Sequence, residues 1–200
     1  MTNEHSNLRI AIIVGSTRPG RRGADVATWV HEAAARRTDA TYEVVDLADH
    51  PLPHLDEAMP PILGAYAEPH TRAWAATIAS YDAFIVVTPE YNHSVPGVLK
   101  NAIDYLFAEW NHKAAGVVAY GAENGSRAAE HLRQIFGELK VPVVRQYVGL
   151  SLYLDFEDFE RLAPRPQHAG NLETLFDEVN LWGHALRQVR ADRVVAATPG

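Results

Sequence analysis

Residues 84–106, FIVVTPEYNHSVPGVLKNAIDYL, decide how this chain is read. Phe84, Ile85, Val86 and Val87 form an unbroken apolar run, the pattern of a short strand buried on both faces, as parallel strands covered by helices are. The run breaks at Pro89, and Glu90, Tyr91, Asn92, His93 and Ser94 make a polar loop that reaches Pro96. After Gly97, the residues Val98, Leu99, Ala102, Ile103, Leu106 and Phe107 recur at helical spacing. The loop therefore sits where a strand hands over to a helix, at the strand's carboxyl end, which is where open α/β sheets bind ligands. A proline-bounded connection without a ligand gives the same local pattern.

The residues themselves carry the reading further. PEYNHSVPGVLKNAIDYL, with its Pro-Glu-Tyr-Asn run, Ser-x-Pro-Gly and Leu-Lys-Asn-Ala-Ile-Asp, closely resembles the flavin-contacting loop and following helix of the NAD(P)H-dependent FMN reductase family. That family has the flavodoxin-like fold.

Upstream, Leu8 to Val14 is apolar apart from Arg9 and reads as a first buried strand. GSTRPGRRG, residues 15–23, follows, and then a helical pattern through Val26, Ala27, Trp29, Val30 and Ala34. A strand, a loop of Gly, Ser, Thr and Arg, and a helix make an anion site, because the first helical amides lack partners and the helix dipole favours negative charge. Ser16 and Thr17 offer hydroxyls, Arg18 a charged donor, and Gly23 close backbone approach. A nucleotide-triphosphate loop fails here, since Arg21 and Arg22 stand where Lys and the magnesium-binding hydroxyl belong. The dinucleotide fingerprint fails because position 17 is Thr. GSTRPGR does resemble the FMN-phosphate loop of the same reductase family, and an ordinary helix start with solvated arginines is the other reading.

Tyr42 to Leu47 reads as a second strand, followed by a proline-rich connection from Ala48 to Pro69. PLPHLDE, residues 51–57, resembles the Leu-Pro stretch many family members carry there. His50 and His54 invite a metal, but Pro51 and Pro53 disfavour the helix that would put both on one face, and no third ligand stands near. No metal site is assigned. A helix is expected over 70–80, a fourth strand over Ala114–Tyr120, a glycine-marked loop at Gly121 to Gly125, a helix over 127–139 and a fifth strand over Val141–Gly149. Residues 155–170 are expected to be irregular. Leu172, Leu175, Phe176, Val179, Trp182, Leu186 and Val189 predict a closing amphipathic helix, with residues 191–200 frayed.

Strands alternating with helices predict an α/β fold with a five-stranded parallel sheet and helices on both faces; the resemblance implies its flavodoxin-like form, with strand order 2-1-3-4-5. The first and third strands then flank the switch point, so one ligand can touch both of their loops. The expectation is one domain over residues 1–200, with its ordered core over about 8–190. At 200 residues and 47% hydrophobic content such a core is affordable. The absence of cysteine removes disulfides, thiolate metal sites and cysteine nucleophiles. The formal charge of −7 gives no electrostatic grip on nucleic acid or an anionic membrane. About seven weakly apolar residues before Gly15 are too few to span a bilayer, and the chain is expected in the cytoplasm.

The resemblance implies an NAD(P)H-dependent flavin-containing oxidoreductase with FMN as cofactor, NADPH or NADH as co-substrate, and a small-molecule electron acceptor. Carried across residue by residue, it implies that Ser16, Thr17 and Arg18 hold the FMN phosphate, helped by the backbone near Gly23. Pro89, Glu90, Tyr91 and Asn92 would run along the flavin ring with backbone amides facing its polar edge, and Ser94 and Gly121, on the same rim, are counted with them as cofactor-binding. No catalytic residue is assigned. His93 stands at a variable position and reads as a solvent-facing loop histidine. A flavodoxin-like electron carrier, or an FMN-binding regulatory module without turnover, remain alternatives. The resemblance also implies a homodimer, or a tetramer of paired dimers, through the helix after the Pro-Glu-Tyr-Asn loop. Tyr105, Leu106, Phe107 and Trp110 give that helix more apolar surface than one core-facing stripe needs; the other reading packs all four inside their own domain.

Overall fold

The computed structural model describes residues 7–197; the expected disordered lead, residues 1–6, and the last three residues, 198–200, lie outside the described residues. The elements follow in the order β1 (Leu8–Val14), α1 (Gly23–Ala34), β2 (Ala40–Asp46), α2 (Pro69–Ala79), β3 (Ala83–Pro89), α3 (Gly97–Asp104), β4 (Ala114–Gly121), α4 (Ser126–Glu138), β5 (Val143–Ser151), β6 (Phe156–Glu157), β7 (Arg161–Leu162) and α5 (Gln167–Ala197). β2, β1, β3, β4 and β5 form a parallel sheet in that order. The expected topology is the observed one.

Side chains of the central strands alternate between two cores. Ala11, Ile13, Phe84, Val86, Val117 and Ala119 pack with Trp74, Ile78, Leu99, Ile103, Leu132 and Phe136 from α2, α3 and α4. Ile10, Ile12, Val14, Ile85, Val87 and Val118 pack with Val26, Val30, Leu172, Leu175, Phe176 and Val179 from α1 and α5. Each fully buried aliphatic or aromatic side chain contributes about 1.5–3 kcal/mol by leaving water.

The segment after α3 departs from one expectation. Tyr105, Leu106 and Trp110 are 0%, 1% and 1% exposed, because the chain turns inward after Asp104 and Trp110 packs edge-to-face with Phe84 at 4.9 Å and tilted against Phe136 at 5.9 Å. Phe107 alone of the four stays half-buried. The apolar surplus belongs to this chain's own core.

Three further differences lie near the carboxyl end. Residues 155–170 contain a small antiparallel hairpin, β6–β7, with Asp158 and Phe159 in left-handed backbone at its tip, φ 50° and 57°. Asp155 organises it. This carboxylate is fully buried and accepts hydrogen bonds from the Ser151 amide at 2.8 Å, the Arg165 amide at 3.0 Å and the Arg165 guanidinium at 2.9 and 3.1 Å. Second, α5 runs through residues 191–197 instead of fraying, held where Arg187 and Arg190 both reach Asp82 at the start of β3. Third, Trp182 and Val189 are 47% and 41% exposed. The inward face of α5 is taken there by Asn180, which donates to the Tyr42 hydroxyl at 2.7 Å, by Gly183 against Leu8, and by the two arginines.

Burial alone would raise the Asp155 pKa, but the Arg165 guanidinium and the two amides outweigh it and hold it at about 2, against an ordinary 3.8. A depressed carboxylate pKa means that the unfolded chain binds more protons, so the contribution is present above about pH 4 and is lost as pH falls toward 2. Asp155→Asn should cost about 1–3 kcal/mol at neutral pH, because an amide put in place of this fully buried carboxylate cannot accept all the hydrogen bonds it receives from the two backbone amides and Arg165. In urea melts followed by circular dichroism, the wild type should lose part of its advantage over the variant between pH 4 and pH 2. A constant gap across that window would remove Asp155 from the acid response.

Candidate functional site

The chain leaves β1 through a loop that lies against β3. The Gly15 amide donates to the Val87 carbonyl at 2.8 Å. A Cβ at Gly15 would stand 2.9 Å from both that carbonyl and Leu99, so only glycine allows the approach. Ser16 is buried at 1% exposure, while Thr17 and Arg18 face outward. A turn from Arg18 to Arg21, with Gly20 at φ 69°, then feeds α1. Arg22 occupies the N-cap, and no side chain caps the helix. The first amides of α1 therefore point at the rim of the sheet without a side-chain acceptor, beside Arg18.

The second loop leaves β3 at Pro89. The Glu90 amide continues the pairing to the Tyr120 carbonyl at 2.9 Å. Tyr91 and Ser94 then exchange both backbone hydrogen bonds, at 2.9 and 3.1 Å, across a two-residue turn. Asn92 and His93 form its tip in left-handed backbone, φ 47° and 72°; asparagine tolerates that conformation better than most residues. Both are exposed.

The two loops meet through Tyr91. Its hydroxyl lies 3.0 Å from Ser16 Oγ and accepts from Arg18 Nε at 3.2 Å, with the Arg18 guanidinium 5.9 Å from the tyrosine ring centre. Around them lies a cavity of about 250 Å³, lined by Arg18, Arg22, Pro89, Glu90, Tyr91, Tyr120, Gly121, Leu152 and Phe159. Residues from the ends of β1, β3 and β4 thus gather at one place, on either side of the switch point between β1 and β3.

Two side chains of the second loop turn to α4. The Glu90 carboxylate accepts from the Arg127 amide at 3.0 Å and from its guanidinium at 3.1 Å, capping a helix whose own N-cap is Gly125. Ser94 Oγ lies 2.8 Å from His131 Nδ1. His93 sits 3.3 Å from the Arg127 guanidinium. What these residues offer a ligand in the cavity is their backbone.

Sequence reasoning missed three contributors. Tyr120 is 5% exposed and borders the cavity from β4, and its hydroxyl has no hydrogen-bond partner of good geometry among the described residues. Burial, and to a lesser degree the neighbouring Tyr91, push its pKa far above the ordinary value, so the hydroxyl keeps its proton. A single hydroxylated ring ending the small-residue strand AAGVVAY was the available signal. Arg22 and Phe159 meet because Arg22 Nε donates to the Phe159 carbonyl at 3.2 Å and the guanidinium lies 3.5 Å from Glu160. Nothing local marks that pairing. His50, half of the weighed metal pair, packs its ring 4.9 Å from Trp74.

The donors that converge here are hydroxyls, guanidinium groups and free helix amides. The one carboxylate in the lining, Glu90, is already committed to α4. Such a set suits a phosphate, which accepts hydrogen bonds on every oxygen and carries the charge that an uncapped helix start favours.

Comparison with known proteins gives the family of the chain. Residues 8–155 match the sequence profile of the NADPH-dependent FMN reductases. An NAD(P)H-dependent FMN reductase of Schizosaccharomyces pombe is 43% identical over 149 residues, 74% of each chain. A quinone reductase of Pseudomonas putida is 35% identical over 164 residues, 76% of this chain and 83% of its own. Among solved structures, FerB of Paracoccus denitrificans, a flavoenzyme NAD(P)H:(acceptor) oxidoreductase, superposes with a TM-score of 0.68 at 23% identity, over 89% of this chain and 98% of its own, a likeness of fold. The profile, the relatives and the shared fold together place the chain in the NADPH-dependent FMN reductase family, oxidoreductases that use FMN with NAD(P)H as electron donor.

Proposed function

We propose that this protein is an FMN-dependent reductase that passes electrons from NADPH or NADH to a small acceptor, and that donor and acceptor use one cavity in turn. The observation that carries the reading is the uncapped start of α1 beside Ser16 and Arg18, facing the 89–94 loop across the switch point. Ser16, Thr17, Arg18 and the amides from Gly23 would hold the cofactor's phosphate. The backbone of Pro89, Glu90, Tyr91 and Asn92, with Ser94 fixing the turn and Gly121 on the neighbouring strand end, would border the flat ring. Bound FMN supplies the hydride acceptor and electron store of the reaction. The cavity lies below the usual size of small-molecule sites, so a ligand as large as FMN extends past it onto the open rim, within reach of a second flat molecule.

The acceptor class is a flavin, quinone, azo compound or metal oxyanion; curated relatives named as quinone reductases favour a quinone among them. No side chain is assigned as acid or base. Among the described residues no helix is long and apolar enough to cross a membrane, and the reading places the enzyme in the cytoplasm. A homodimer stays part of it, through α3 as the sequence suggested, although Tyr105, Leu106 and Trp110 are buried in this chain's own core. A groove of about 490 Å³ between Pro60–Ile62, α3 and α4 is lined by Ile103, Phe107, Ile135 and Leu139, with Ile62 64% and Leu63 59% exposed beside it.

Three measurements test this. Arg18→Ala should weaken FMN binding by about 1.5–3 kcal/mol, the range for hydrogen bonds to a charged group, in a fluorescence titration of the stripped protein; unchanged affinity removes Arg18 from the site. Steady-state kinetics with NADPH and a quinone should give parallel double-reciprocal lines, whereas converging lines would mean separate donor and acceptor sites. Light scattering at micromolar concentration should give twice the chain mass, and Ile62→Lys should shift it to the monomer; a wild-type monomer rules the dimer out.

A further inference from the structure

Tyr120 is harder to explain by packing than any other side chain at the cavity. Its ring sits among the α1–α5 core residues, 6.0 Å from Phe156, a role phenylalanine fills equally well. The hydroxyl is the anomaly. It is buried and has no hydrogen-bond partner of good geometry among the described residues, a costly state unless a ligand satisfies it. Its direction is fixed by what it meets: a Cβ on Gly23, the first residue of α1, would stand 3.2 Å from the hydroxyl oxygen. The hydroxyl therefore reaches the start of the helix from β4, two strands away in the sheet from β1. The Gly23 amide lies close enough to act on the hydroxyl oxygen as a donor, as Arg18, Arg21 and Tyr91 act on it electrostatically, so what lacks an acceptor is the hydroxyl's own proton; it shares the cavity wall with Arg18, Arg22 and Tyr91. Two independent features thus converge: a helix of twelve residues with no side-chain cap, and a buried, unpartnered donor aimed at its first turn.

We infer that the Tyr120 hydroxyl is a ligand of the cofactor phosphate, donating to it from the floor of the site opposite Arg18. The inference rests on the FMN reading above and extends it with a donor supplied by β4 instead of by the phosphate loop. A neutral hydroxyl at this place distinguishes a phosphorylated flavin from one without phosphate, because only the former meets it with an acceptor.

The test compares FMN with riboflavin on stripped wild-type protein and on Tyr120→Phe, by quenching of flavin fluorescence. The variant should bind FMN about tenfold or more weakly and riboflavin as tightly as wild type does. Inorganic phosphate should raise the melting temperature of the wild type more than that of the variant, while the two melt alike without phosphate. Equal FMN affinity in both proteins overturns the inference and leaves the FMN assignment standing. Equal weakening of FMN and riboflavin assigns Tyr120 to packing and overturns it too. A wild-type protein that binds neither flavin removes the FMN reading itself, and the role of Tyr120 with it.

Discussion

β3 is buried along its whole length, and that constraint places everything else. Its backbone groups are spent on β1 and β4 and its side chains on the two cores, so polar chemistry starts only where the strand stops. It stops at Pro89, and the next amide already reaches across to Tyr120. Of the helices that begin on that rim, α1 and α4 flank the site, and each brings amides that no intrahelical carbonyl satisfies. The chain treats them differently. α4 receives the Glu90 carboxylate from the end of β3, while α1 has no side-chain cap. One helix start is closed by the protein's own anion, and the other is open to an outside one.

Arginine–carboxylate contacts on the α5 side decide what borders the site from the carboxyl-terminal part of the chain. Arg37 joins Asp39, Glu173 and Asp177, tying the end of α1 to α5. Asp82 holds α5 farther along. Asp155 fixes the base of the β6–β7 hairpin, whose tip brings Phe159 to the cavity and to Arg22. The Arg22–Glu160 pair is the weak member, since Glu160 is 75% exposed and exposed pairs contribute roughly 0–1 kcal/mol. The buried Asp155 cluster therefore positions the tip, and Arg22 only registers it. Most of this lies beyond residue 155, where the match to the family profile ends.

The sheet order and the two loops were legible because their signals are local: an apolar run such as Phe84–Val87 ends at a proline and hands over to a helical pattern. Strand and helix bounds moved by only a few residues for the same reason. Burial beyond the helix pattern was not legible. Tyr105, Leu106 and Trp110 read as surplus on a surface helix, yet α3 ends at Asp104 and the chain turns them inward, a turn that no periodicity announces. Trp182 read as core by its spacing, but close contact at Gly183 and the reach of Arg187 to Asp82 set which face of α5 turns in. Glu90 and Ser94 read as site residues from the loop they sit in, but that their side chains serve α4 was not legible. Contacts such as Arg22 with Phe159 join residues too far apart for any spacing rule.

The tie between the two loops also bears on how such a site exists without its ligand. Donors gathered for an anion repel one another or seek water unless something accepts from them. Here the Tyr91 hydroxyl does so, accepting from Arg18 and pairing with Ser16. Those are hydrogen bonds to a single neutral oxygen, weaker than the paired, doubly charged bonds that a phosphate offers a guanidinium. A phosphate arriving at α1 would therefore draw Arg18 and Ser16 from Tyr91 at a net gain, with both loops already placed by the tie and little ordering left to do. Tyr91 then serves first as the acceptor that keeps the loops together, and the exchange frees its hydroxyl beside the rim where the flat ring is proposed to lie.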